Sequence, residues 1–150
     1  MTWEVSGSTF IAAPPERVWA TLADFHRLDR WAPTVRKVEP VGPLRSGVGT
    51  ARRMGVERLG HLLEVVTVWD EGERLGYRVS PLGPIQTSES LWRLESEDAG
   101  CRVHLSLEYE LRFGGLGRLL HRVIARKLIE RRLPRILSLL QRHVEGTLMA

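Results

Sequence analysis

The stretch Cys101–Gly146, "CRVHLSLEYELRFGGLGRLLHRVIARKLIERRLPRILSLLQRHVEG", changes its period once. In its first part Val103, Leu105, Leu107, Tyr109 and Leu111 alternate with His104, Ser106, Glu108, Glu110 and Arg112. Alternation by two marks a strand with one buried and one wet face. His104 and Glu108 therefore belong to solvent. From Leu116 to about Gly146 the apolar positions recur at helical spacing instead. At ~100° per residue, Leu116, Leu119, Leu120, Val123, Ile124 and Leu128 make one apolar stripe. Ile129, Leu133, Ile136, Leu137, Leu140 and Val144 make a second, displaced by about a third of a turn. Pro134 lacks an N–H and crowds the carbonyl of Glu130. Proline and phase change fall together, which predicts a kink or break between about Leu128 and Pro134.

Working back from this strand and helix, the chain reads as short strands with turns between them. "VRKVEPV", "TARRM", "HLLEVVTVW", "RLGYRVS" and "IQTSESLWRLE" precede the strand at Cys101, separated by segments rich in glycine, proline and acids. Residues Trp3–Ala12 add a first strand, ended by "APP". Pro14 and Pro15 are suited to a helix start. "ERVWATLADF" continues it, with Val18, Trp19, Leu22 and Phe25 at helical spacing, and "HRLDRWAP" reads as a second short helix. The fold class is α+β: a seven-stranded antiparallel sheet, two short helices after strand 1, and a long C-terminal helix. The sheet's apolar face needs a cover, and the C-terminal helix is the element long enough to supply it. A curved sheet gripping such a helix leaves a cavity between them, of the kind that suits apolar small molecules.

Composition bounds the alternatives. A chain of 150 residues with 43% hydrophobic and 27% charged residues is a single globular domain, 1–150. It has no apolar run of the ~20 residues that cross a membrane. "MTWEVSGSTF" has no basic or long apolar leader, and the one cysteine, Cys101, allows no internal disulfide, so a cytoplasmic protein is expected. Net charge is +4, but Leu116–Thr147 alone carries +6, with eight basic residues against Glu130 and Glu145. In "KLIERRLPRIL" (Lys127–Leu137), Arg131, Arg132 and Arg135 lie opposite Ile129, Leu133, Ile136 and Leu137. A nucleic-acid arm would not need that second, apolar face, so no nucleic-acid partner is expected. The five histidines show no metal-ligand spacing and "HExxH" is absent. No metal or cofactor is expected, and no "GxSxG" or cysteine motif offers a nucleophile. "GGLGR" at Gly114–Arg118 reads as a tight strand-to-helix turn rather than an anion site.

Four stretches in the right order resemble the START-like, polyketide cyclase/dehydrase and lipid-transport superfamily (SRPBCC), in its bacterial cyclase-like branch. They are "IAAPPERVWATLADFHRLDRW", "LLEVVTVWDEGERLGYRV", "SLWRLESEDAGCRVHLSLEYEL" and "FGGLGRLLHRVIARKLIERRLPRILSLLQRHVE". The resemblance implies the helix-grip fold. It also implies one of several functions that share a cavity and no common catalytic set.

The cavity lining is assigned to Trp31, Ser90, Trp92 and Tyr109, and on the helix to Leu120, Val123, Ile124 and Lys127. Small Ser88 and Ser90 on the face of Trp92 leave space beside it. Lys127 falls inside the first apolar stripe, where it either snorkels to water or meets an acidic ligand group. Glu64 and one of the neighbours Arg52 and Arg53 have an ambiguous direction. An inward Glu64 would have a raised pKa and, with Tyr109, would be a candidate acid/base group. The leading functional expectation is binding of a hydrophobic small molecule of lipid, polyketide or isoprenoid type. The alternatives are a polyketide cyclase or aromatase-type enzyme without a triad, and an interaction module using the basic helix on membrane or RNA. Transient membrane-surface contact is compatible with the leading reading, and the sequence leaves the oligomeric state open.

Overall fold

Hydrophobic period and turn chemistry place every strand where the alternation does. The computed structural model describes residues 2–57, 60–82, 85–112, 115, 116, 119 and 126–149, with 148 and 149 described by backbone alone. Among the described residues, seven strands form one antiparallel sheet: β1 (Thr2–Ile11), β2 (Val35–Val41), β3 (Ala51–Val56), β4 (Gly60–Asp70), β5 (Arg74–Val79), β6 (Ile85–Glu97) and β7 (Gly100–Leu111). The order β1-β7-β6-β5-β4-β3-β2 is a meander from β2 to β7, with β1 returning to pair with β7. Between β1 and β2 come helix α1 (Pro15–Ala23) and a 3-10 helix (Phe25–Arg30). Helix α2 (Arg126–Met149) crosses the sheet and packs on β1 and β7.

Register explains how the sheet makes both a core and a gap. Leu75, Trp92, Leu105 and Gly7 lie in one row across β5, β6, β7 and β1. Val66, Tyr77, Ser90 and Leu107 make the adjoining row across β4 to β7. All of these face inward, because strand residues two apart share a face. Where Ser90 stands between Tyr77 and Leu107, the row has a short side chain and the layer is thin. Where Gly7 stands, α2 comes close: a Cβ there would meet Leu133 Cδ2 at 3.2 Å and Leu137 Cδ1 at 3.3 Å.

The open edge strand β2 is irregular. Its pairing with β3 shifts between Arg36 and Glu39, Lys37 takes φ 52°, and Pro40 stands opposite Arg52.

Helix α1 begins on Pro15, whose missing N–H costs nothing at that position, and buries Val18, Trp19 and Leu22. It is tied to the β4–β5 turn through its tryptophan. The two oxygens of Glu71 accept from Trp19 Nε1 at 3.1 Å and Trp69 Nε1 at 2.8 Å, and the indoles meet edge-on at 5.3 Å.

Two expectations for the C-terminal helix need correction. The second stripe is the core face: Ile129, Leu133, Leu137, Leu140 and Val144 are buried. The described members of the first stripe are not. Leu116, Leu119 and Leu128 are 60%, 57% and 45% exposed. Among the described residues of the helix, those buried against the sheet begin at Ile129. The helix also continues through Pro134 without a break. Both Pro134 and Glu130 are exposed. The carbonyl deprived of its N–H partner is thus on the solvent side, where water can bond it.

Leu140 is fully buried in the main core. Leu140→Ala is expected to lower unfolding free energy by about 2–5 kcal/mol, whereas Leu128→Ala changes it by less than about 0.5 kcal/mol. Urea denaturation of the two variants measures both.

Candidate functional site

Between the inward face of the sheet and α2 lies a cleft of about 270 Å³. Its sheet wall includes Met54, Leu62, Trp92, Leu105 and Leu107, its helix wall Ile129, Leu133, Ile136 and Leu139, and one side is closed by Leu28 and Trp31, in and just after the 3-10 helix. Trp31 and Trp92 meet edge-on at 6.2 Å. A larger groove of about 500 Å³ runs between β1 and α2. It is lined by Glu4, Ser6, Ser8, Arg126, Glu130 and Ser138 and is a solvated surface feature.

The buried polar groups of the cleft are concentrated on the sheet side. Arg52 on β3 and Glu64 on β4 are direct cross-strand partners, and both point inward. Arg52 Nε donates to Glu64 Oε1 at 2.7 Å, Nη2 lies at ion-pair distance from the same oxygen, also 2.7 Å, and Nη1 donates to the Phe25 carbonyl at 2.8 Å. The guanidinium also lies over the Phe25 ring, 3.7 Å from its centre, and 5.1 Å from that of Tyr77. His26 adds a second tie, its Nε2 lying 2.8 Å from the Ala51 carbonyl. Glu64 Oε2 takes no part in these bonds. Glu64 itself lines the cleft.

Beside this pair, Tyr77 Oη accepts from Trp92 Nε1 at 3.1 Å. Burial pushes the Tyr77 phenol above its ordinary pKa, and the Glu64 carboxylate pushes it further. Arg52, Trp92 and Ser90 pull the other way with smaller effect. The phenol is therefore neutral at physiological pH and able to donate to a ligand oxygen. A carboxylate and a phenol that line one cleft together can hold a hydroxyl or carbonyl group.

Of the residues assigned from sequence, Trp31, Ser90, Trp92 and Glu64 line this cleft. Of the arginine pair, Arg52 is the inward one and Arg53 is exposed. Tyr109 is buried but packs elsewhere, with Leu111 and Ile129, its ring stacked on Trp3 at 6.1 Å. Lys127 is exposed and does not contribute to the cleft wall, so its ammonium snorkels to water. Leu120, Val123, Ile124 and most of the "GGLGR" turn lie outside the described residues. The sequence reading missed Tyr77, whose place in "RLGYRVS" alternates inward, and Arg132 and Arg135, which flank the cleft from α2. It also missed Leu133 and Ile136 as wall rather than pure core. Among the described residues, no group of three His, Cys, Asp or Glu side chains could hold a metal, and no helix is long and apolar enough to cross a membrane.

Residues 2–145 match the family "Polyketide cyclase / dehydrase and lipid transport". The chain belongs to that family. Its structure is similar to that of TTHA0849 from Thermus thermophilus, with a TM-score of 0.79, 29% identity, and coverage of 97% of this chain and 99% of that one. The same fold appears in the Zhui aromatase/cyclase from Streptomyces sp. R1128, with a TM-score of 0.72, 21% identity, and 96% of each chain covered. It appears also in Ara h 8.0201, with a TM-score of 0.73, 16% identity, and coverage of 97% of this chain and 99% of that one. No curated protein matches the sequence significantly.

The polar cluster makes itself felt in stability. Glu64→Ala leaves a buried guanidinium without its carboxylate and should cost about 3 kcal/mol or more, while Arg52→Met with Glu64→Leu costs less than that single change. Urea unfolding of both variants measures the difference. Burial also raises the pKa of Tyr109, so both tyrosines of the chain are held above the free phenol value of about 10. At about pH 10 the folded protein should show less tyrosinate absorbance at 295 nm than the urea-unfolded chain. Because the folded pKa values are raised, this stability is full below about pH 10 and is lost as pH rises beyond it.

Proposed function

We propose that residues 1–150 act as one START-like ligand-binding domain that takes a hydrophobic small molecule of lipid, polyketide or isoprenoid type into the cleft between sheet and α2. The observation that carries this reading is the contrast within the cleft. Its walls are mostly Met, Leu, Ile, Val and Trp side chains, with a buried polar group at Glu64, Arg52 and Tyr77 on the sheet side and two arginines, Arg132 and Arg135, on the helix side. Apolar walls supply affinity and a few fixed polar groups supply orientation. The ligand therefore has an apolar body with an oxygen-bearing group that sits against the Glu64 carboxylate and the Tyr77 hydroxyl. Family membership and the shared fold with an aromatase/cyclase agree with such a ligand.

Chemistry on the ligand is a second reading, favoured by one observation: a carboxylate oxygen and a neutral phenol share one wall. Glu64 would take a proton next to a ligand carbonyl while Tyr77 donates to that carbonyl's oxygen. It predicts that Tyr77→Phe and Glu64→Gln keep ligand binding but slow hydrogen–deuterium exchange next to the carbonyl of a bound 1,3-diketone probe. Equal exchange in the variants removes this reading.

The binding reading is tested by native mass spectrometry of purified protein with 1-decanol or a co-purified apolar molecule. Retention of a ligand is expected, and Ile136→Trp, which fills the cleft from the helix side, should abolish it while leaving circular dichroism unchanged. A folded protein that takes up no apolar molecule, or takes it up equally in Ile136→Trp, overturns the proposal.

A further inference from the structure

The two ends of the cleft differ in charge. At the inner end the Arg52 guanidinium is neutralised by Glu64 at 2.7 Å, so no net charge is left for a ligand. On the helix side Arg132 and Arg135 both line the cleft. They are three residues apart and so lie on one face of α2, beside the wall residues Leu133 and Ile136. Neither has a carboxylate within ion-pair distance among the described residues. The nearest acid along the helix, Glu130, is already engaged by Arg126 at 2.8 Å. Partial covering and the charge of Arg135 hold Arg132 below the ordinary arginine pKa. Two like charges one turn apart with no counter-ion oppose folding. They are tolerable when something else supplies the anion.

We propose that Arg132 and Arg135 form an anion-binding rim, by which the cleft selects apolar ligands that carry a carboxylate or phosphate end. The guanidinium forks suit either group, since both present two oxygens to paired N–H donors. The apolar part then lies against Leu133, Ile136 and Leu105, with the acidic end at the surface where it keeps some water. This inference rests on the cleft being the ligand site, and it adds the ligand's charge class to that reading. Lys127 and Arg131 take no part, because neither lines the cleft.

The test compares decanoate, decyl phosphate and 1-decanol on the folded full chain, titrated by tryptophan fluorescence, since Trp31 and Trp92 line the cleft. At low salt the two anions should bind roughly fivefold to tenfold more tightly than the alcohol, as a charge-assisted contact on an exposed rim allows. The gap should narrow as salt is raised. In the double variant Arg132→Gln, Arg135→Gln the anions should fall to the affinity of the alcohol, with alcohol binding changed by less than about twofold. Whichever of decanoate and decyl phosphate loses more in that variant identifies the head group the rim prefers. Equal binding of alcohol and anions by the parent protein overturns the proposal, and so does an anion preference that survives the double substitution. If the rim fails in either of these ways while alcohol still binds in the cleft, with Ile136→Trp blocking it, the cleft reading stands and only the rim falls. If all three probes bind equally well to Ile136→Trp, the cleft itself is not the site and both readings fall.

Discussion

One buried guanidinium holds the working part of this molecule together. Arg52 reaches from β3 to Glu64 on β4 and to the carbonyl of Phe25 in the 3-10 helix, and its guanidinium lies over the Phe25 ring. Removing two charges from water costs several kcal/mol per ion, which only close geometry and further hydrogen bonds can offset. Here the guanidinium meets a carboxylate, a carbonyl and a ring face, so the offset is at hand. The outcome is positional more than energetic. The 3-10 helix cannot slide along the sheet without breaking the bond from Arg52 to the Phe25 carbonyl, and with it are fixed Leu28 and Trp31, which close one side of the cleft. The inner polar end is thus both a structural clamp and the surface a ligand oxygen would meet.

Much of this architecture was readable from residues alone, because period 2 and period 3.6 are imposed by backbone geometry and do not depend on what packs where. The alternation of Val103 to Leu111 gave β7 its buried face, and Ser88 and Ser90 beside Trp92 marked the thin place in the sheet. What could not be read was set by partners distant in the chain. Whether Arg52 or Arg53 turned inward depended on the register of β3 against β4. Tyr109 obeyed the alternation but was drawn toward Trp3 on the neighbouring strand, leaving the phenol role in the cleft to Tyr77. The helical wheel gave two stripes, and the second is the buried face of α2. It could not tell that Leu116, Leu119 and Leu128 would stand exposed while Leu133, Leu137 and Leu140 are buried.

The same limit explains the basic segment. Its charge first resembles a surface for an acidic macromolecule. On the folded chain the positions separate by role: Ile129, Leu133, Leu137 and Leu140 belong to the core face, Lys127 and Arg131 stand in water, and Arg132 and Arg135 border the cleft. One helix therefore serves as core, solvated face and cleft margin, and summed charge conceals that division.

The irregular strand β2 has a consequence for how the molecule behaves in a crowded solution. A sheet that is not closed on itself leaves an edge of unpaired amides, which another strand can extend into an aggregate. At this edge the shifted pairing after Arg36, the left-handed backbone at exposed Lys37, and the missing N–H of Pro40 interrupt the row of donors and acceptors. A strand arriving from a neighbouring copy finds no continuous template and meets a charge. The sheet can thus stay open and curved around its cleft without becoming the seed of a fibre.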